Sequence, residues 1–286
     1  MINITYTMPP ARRLLLLALL FVAGLSIAGI AGGMLMSMAS PARLLAMTRI
    51  ATVIQDVLML VVPAVATAML VTRRPAQLLA VDTTPPATFY LAAVAGLIFA
   101  SPLMSAIIEW NASLHLPASM QALEASLRAM EERAGGAVEF MLGPATAGNL
   151  VVSLLLVGVL AGVSEELFFR GALQRLIAST GMSAAGAVWV TALVFSAVHM
   201  QPFGLVPRLL LGAYLGYLLV WSGSVWVPVT VHTLNNSLYV VMRYATGSGE
   251  SEYGSGSPVV LIASAVLTGA MLVWMYRNRN KKSENQ

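Results

Sequence analysis

"NLVVSLLLVGVLAGVSEELFFRGALQRL", residues 149–176, is an apolar run that continues, with no proline to interrupt it, into two adjacent glutamates, Glu165 and Glu166, and an arginine, Arg170. The stretch is longer than the roughly 20 residues a helix needs to cross a ~30 Å hydrocarbon core. Ionisable groups inside such a helix cost about 2.5–3.5 kcal/mol each on insertion scales, so each demands a partner, a cavity or a function. The chain has only 12 acidic residues in 286, and two of them stand side by side here.

The rest of the composition fits a membrane protein. Hydrophobic residues make up 58% and charged residues 10%, against about 45–50% and 25% in a soluble domain. There is no cysteine, which excludes disulfides, cysteine zinc sites and a thiol nucleophile. Chemistry must come from His, Glu, Asp, Ser, Thr, Asn or Arg. The net charge of +4 arises largely from short basic clusters flanking apolar runs, a topology signal and not a nucleic-acid footprint, so no nucleic-acid partner is expected.

Apolar windows near residues 13–38, 50–72, 87–109, 149–178, 184–200, 205–222, 225–243 and 258–276 predict an all-α, polytopic membrane bundle of about eight transmembrane helices. The first window follows Arg12 and Arg13 and outruns the apolar core of a signal peptide, so it reads as a spanning helix. Between the third and fourth windows, Met120, Leu123, Leu127 and Met130 recur at helical spacing beside Glu124, Arg128, Glu131 and Glu132. That pattern predicts an amphipathic helix on the membrane surface or capping the bundle. His115, in the polar stretch before it, is expected to be solvated, and Glu109 with Trp110 to anchor a helix end at the interface. "TGSGESEYGSGSP" (246–258) reads as a flexible loop.

No internal repeat is evident, and the chain reads as one integral membrane domain in three parts. These are 1–148 (three helices and the amphipathic loop), 149–243 (the polar core) and 244–286 (loop, last helix and basic tail). Arg12, Arg13, Arg73, Arg74, Arg175 and the tail "RNRNKK" fall on one side of an eight-helix count. Arg43, Arg49, Arg128, Arg133, Arg208 and Arg243 fall on the other with the acids of the long loop, which predicts cytoplasmic termini. Gly158 with Gly162 and Gly212 with Gly216 are paired at the four-residue spacing that lets helices approach closely.

Polar residues cluster in the second half. Glu166 and Arg170 stand at i and i+4, which assigns one acid to the arginine and leaves Glu165, about 100° round the helix, free for chemistry. A hairpin at "TGMS" (180–183) puts Glu165 and His199 each roughly 25 Å from the turn and therefore level. On the next helix but one, His232 and Asn236 share a face, with Asn235 partly beside them, and Asn236 is the better partner for His232. A Glu and a His sharing a water can activate it towards a carbonyl while a second His and an Asn amide stabilise the oxyanion.

Three motifs in order, Glu165-Glu166-x-x-x-Arg170, Phe195-x-x-x-His199 and His232-x-x-x-Asn236, resemble those of the CAAX-protease and bacteriocin-processing (Abi, type II CAAX prenyl endopeptidase-like) membrane proteins. The resemblance covers about residues 149–243. It implies an intramembrane glutamate protease in the bacterial inner membrane, with Glu165 and His199 activating water and His232 and Asn236 forming the oxyanion site. Glu166, Arg170, Phe195 and Asn235 then support the site, and a peptide or membrane protein in the bilayer is the substrate. No cofactor is expected. Were the site metal-dependent, the zinc ligands would be Glu165, His199 and His232, but a His-Glu-x-x-His helix is absent. The alternatives are a non-catalytic immunity or scaffold protein of the same fold, for which the cluster is a structural salt bridge, and a transporter, which the absence of inverted repeats disfavours.

Overall fold

A computed structural model describes residues 4–247 and 257–280. The described residues form α1 (Pro10–Ser37), α2 (Pro41–Val71), α3 (Ala87–Ala112), α4 (Gln121–Leu142), α5 (Ala147–Ala178), α6 (Ala184–Ala197), α7 (Leu205–Ser222), α8 (Trp226–Thr246) and α9 (Pro258–Arg277). Most of the Gly/Ser-rich loop expected at 246–258, and the end of the basic tail, lie outside the described residues.

Two apolar clusters sandwich the polar helices. On one side α1 and α2 pack on α5 through Leu17, Leu60, Ala64, Ala68, Phe168 and Leu176. On the other, α3 and α9 pack on α7 and α8 through Phe89, Ala93, Leu215, Val231 and Met275. Between membrane helices apolar burial gives little net drive, so close approach at small residues matters more. A Cβ on Gly158 would lie 2.4 Å from Ser237 Oγ, and one on Gly162 2.5 Å from Thr233 Oγ1 and 3.0 Å from the Thr233 backbone nitrogen. The first glycine pair therefore draws α8 onto α5, and the second seats α7 against Ala192 and Val188 of α6.

Both ends of the described chain meet one face of the bundle, where the Thr7 amide donates to Val71 O (2.8 Å) and the Asn280 amide to Trp221 O (2.8 Å). The α4 helix lies at the other face. There Arg49 of α2 donates to the carbonyls of Met141 and Leu142, and Arg243 of α8 pairs with Glu139. The ring of His115 is 75% exposed but not merely solvated, because its Nδ1 lies 2.8 Å from Glu124 Oε1.

Six described helices are long and apolar enough to cross a membrane, not eight. The windows expected at 184–200 and 225–243 do form helices, but neither qualifies. Helix α6 has 14 residues and rises only about 21 Å. Helix α8 is long enough but carries Thr230, His232, Thr233, Asn235, Asn236 and Ser237, which lower its hydropathy. Both departures fall on the elements that hold the polar cluster.

Candidate active site

Glu165 and Glu166 close a short regular stretch of α5, Ala161–Glu166, between two π-helical segments, Leu154–Leu160 and Leu167–Gln174. Such wide turns are uncommon and frequently found at functional sites. The two side chains have different surroundings. Glu166 and Arg170 are fully buried, and Arg170 Nη1 donates to Glu166 Oε1 at 2.6 Å. The second guanidinium nitrogen donates to the Gly212 carbonyl of α7 (2.9 Å). The Glu165 side chain is 19% exposed.

The His232 imidazole reaches both acids. Its Nδ1 is 2.7 Å from Glu166 Oε1, a hydrogen bond, and its Nε2 is 3.8 Å from Glu165 Oε2, an ion-pair approach too long for one. A carboxylate oxygen only accepts, so Nδ1 carries the proton. Glu166 therefore binds two donors through one oxygen and fixes the orientation of His232.

His199 lies just beyond the end of α6. Its Nδ1 is 2.7 Å from the Phe195 carbonyl, which again must accept, so in the neutral ring Nε2 keeps its lone pair. The Phe195 ring, 2% exposed, separates the two imidazoles, with centroids 5.0 Å from His199 and 5.9 Å from His232. The Arg170 guanidinium stands over that same ring at 4.6 Å.

Glu165, Glu166, Arg170, Phe195, His199 and His232 are thus brought together. Glu165 and His199 interact electrostatically but share no hydrogen bond among the described residues. Asn236 and His232 share no hydrogen bond among the described residues. The Asn236 amide donates to Val157 O (3.1 Å), and its Oδ1 accepts from Asn235 Nδ2 (3.4 Å). His232 bonds instead to the charged acceptor Glu166, since charge-assisted hydrogen bonds are the stronger. Among the described residues no group of three or more His, Asp or Glu side chains is arranged to hold a metal ion.

Some polar residues around the cluster escaped the sequence reading. Asp56, on α2 immediately before a third π segment (Val57–Val61), interacts electrostatically with Glu165. A lone acid within "TRIATVIQDVLMLVV" (48–62) was the available signal. Gln174, one turn beyond Arg170, donates to the Gly216 carbonyl (3.1 Å). It extends Glu166 and Arg170 into a buried polar stripe along the second glycine pair.

A multi-spanning helix bundle with two carboxylates, two imidazoles and a guanidinium gathered at its centre is the class that fold and site define. Residues 147–238 match the family model described as type II CAAX prenyl endopeptidase Rce1-like, and a domain of that membrane-protease family is present over this part of the chain. The match runs from the start of α5 into α8 and takes in every residue of the three motifs. Comparison with curated proteins and with solved structures returned no match.

Proposed function

We propose that the protein is a membrane-embedded endopeptidase in which Glu165 and His199 activate the water that attacks a peptide carbonyl. The observation that carries this reading is the division of labour between the adjacent acids. Glu166 is fully buried and committed to Arg170 and His232, whereas the Glu165 side chain is partly exposed and its Oε2, beside the His232 Nε2, accepts no hydrogen bond among the described residues.

With His232 protonated on both nitrogens, Glu165, Glu166, Arg170 and His232 sum to zero charge, a balance that a desolvated site requires. Glu165 then takes a proton from water, assisted by the lone pair on His199 Nε2, and oxygen bonds to the substrate carbonyl carbon. The oxyanion is met by His232 Nε2–H and by the Asn236 amide, which has a second N–H beyond the one given to Val157. Glu165 returns its proton to the departing amine as the C–N bond breaks. Phe195 and Asn235 hold the two donor side chains. The mechanism requires no metal, so activity should survive exhaustive chelation. The substrate is a peptide or membrane protein reached within the bilayer.

Comparative proteomics of membrane peptides tests the reading. Cells with the wild-type protein should accumulate cleavage products that Glu165→Ala and Glu165→Gln cells lack. Identical peptide profiles would sink the peptidase assignment and favour a non-catalytic immunity or scaffold role.

A further inference from the structure

Helix α6 ends at Ala197, about 9 Å short of a full ~30 Å crossing at 1.5 Å per residue. His199 therefore sits, half-buried, on irregular backbone just past the end of α6. Non-helical backbone is tolerated at membrane depth only where protein or a water-filled cavity satisfies its polar groups. Met200, the next residue, has φ 55°, a left-handed conformation that L side chains rarely adopt. The chain is thus turned sharply directly after the candidate base, with the Met200 amide donating to the Ala197 carbonyl (3.0 Å), and groups outside the loop hold it further.

One tie comes from α6 itself, where the Ser196 hydroxyl donates to the Leu205 carbonyl (2.8 Å); the other holding groups come from helices that carry none of the three motifs. Asn111, 2% exposed near the end of α3, accepts from the Val206 amide (2.8 Å) and donates to the Pro202 carbonyl (3.4 Å). One side chain thereby ties together both flanks of Phe203. On α4, Glu131 accepts from the Phe203 amide (3.2 Å), and the Arg128 guanidinium stacks on the Phe203 ring at 3.9 Å. Arg208 of α7 donates to the Gln201 side chain (2.7 Å). The α4 helix is itself stapled to the end of α3, because Glu124 accepts from the Leu116 amide, His115 and Arg128. Those donors hold the Glu124 carboxyl at about 2, so it stays charged at physiological pH.

We propose that Asn111 and Glu131 are positioning residues for His199, clamping residues 200–206 so that the imidazole keeps its bond to the Phe195 carbonyl and presents Nε2 to Glu165. The role of His199 as base rests on the peptidase reading; the clamp itself does not. The surface helix α4 becomes part of the site's framework through Glu131.

The test uses the full-length protein and two readouts. The chain contains only three histidines, so nitrogen-15 histidine labelling yields three rings to follow, assignable by single His→Gln variants. Asn111→Ala and Glu131→Ala should erase the single-tautomer signature of His199 and leave His232 unchanged. In the cleavage assay both should lower kcat by about tenfold to a hundredfold with KM within about twofold, the pattern of a misplaced catalytic group. Glu131→Gln, which keeps the acceptor for the Phe203 amide, should restore most of kcat and the signature. An unchanged His199 signal in both alanine variants overturns the clamp, as does Glu131→Gln behaving like Glu131→Ala. Equal disturbance of all three histidines would show a structural role only. If the wild type cleaves nothing, the peptidase reading fails, and the His199 signal still decides the clamp.

Discussion

At the residue scale, adjacent glutamates with equal chemistry receive opposite environments, and that contrast is measurable. Removing the charge of Glu166 leaves Arg170 fully buried without its counterion and leaves His232 Nδ1 at best a neutral amide oxygen as acceptor. Breaking a buried pair on one side costs about 3–5 kcal/mol, since the remaining charge is stranded away from water. Glu166→Gln should therefore lower stability by that order, whereas Glu165→Gln, at a partly open carboxylate, should change it by less than about 1 kcal/mol while abolishing cleavage. Denaturant unfolding of the detergent-solubilised variants separates the two, and equal losses would contradict the assignment. The Glu166–Arg170 pair was legible in the sequence because i, i+4 geometry is local. The His232–Glu166 bond was not, because it depends on the rotation of α8 about its own axis, which the spacing of His232 and Asn236 leaves free. Asn111 was illegible for a similar reason: its partners, Pro202 and Val206, are about ninety residues away and offer only backbone atoms.

At the scale of elements, the polar cluster exists because α8 lies unusually close to α5, and glycine sets that distance. A side chain at Gly162 would strike the Thr233 hydroxyl at 2.5 Å and the Thr233 backbone at 3.0 and 3.1 Å. The hydroxyl can rotate away, but the backbone cannot. Gly162→Val should push α8 outwards by the width of a methyl group or more and draw His232, the neighbour of Thr233, away from both glutamates. The expected result is loss of cleavage together with lower stability. Gly136→Ala is the control: that α4 glycine meets nothing within 4 Å, so alanine should be neutral or stabilising by up to about 1 kcal/mol. Existing helices were the easiest feature to read from sequence, since every apolar window became one. What the windows did not show was that α6 stops short of a crossing. A run of apolar residues reports burial, and Val198 and Met200 extend that run although the backbone has already left the helix by then.

Across the whole molecule, the arginines other than the buried Arg170 divide between two faces of the bundle. The face that gathers the chain ends also holds the α2–α3 connection with Arg73 and Arg74 and the α5–α6 turn, where Arg13 Nη1 donates to Ser179 Oγ (3.0 Å). The α4 face carries Arg128 and Arg133 among Glu124, Glu131, Glu132 and Glu139. Because lysine and arginine in short connections set orientation, the chain-end face should be cytoplasmic and α4 should lie on the outer surface. His199 and its loop belong to the α4 end through Asn111 and Glu131, so that water and peptide would reach the site from the outer half of the membrane. The absence of native cysteine makes the experiment direct, since single cysteines can be placed one at a time on an unreactive background. Arg74→Cys should resist a membrane-impermeant maleimide added outside intact cells and react only after permeabilisation, and Arg133→Cys should react from outside. The reverse pattern would place α4 and the mouth of the site in the cytoplasm, and the substrate would then have to be sought among proteins that approach the membrane from within the cell.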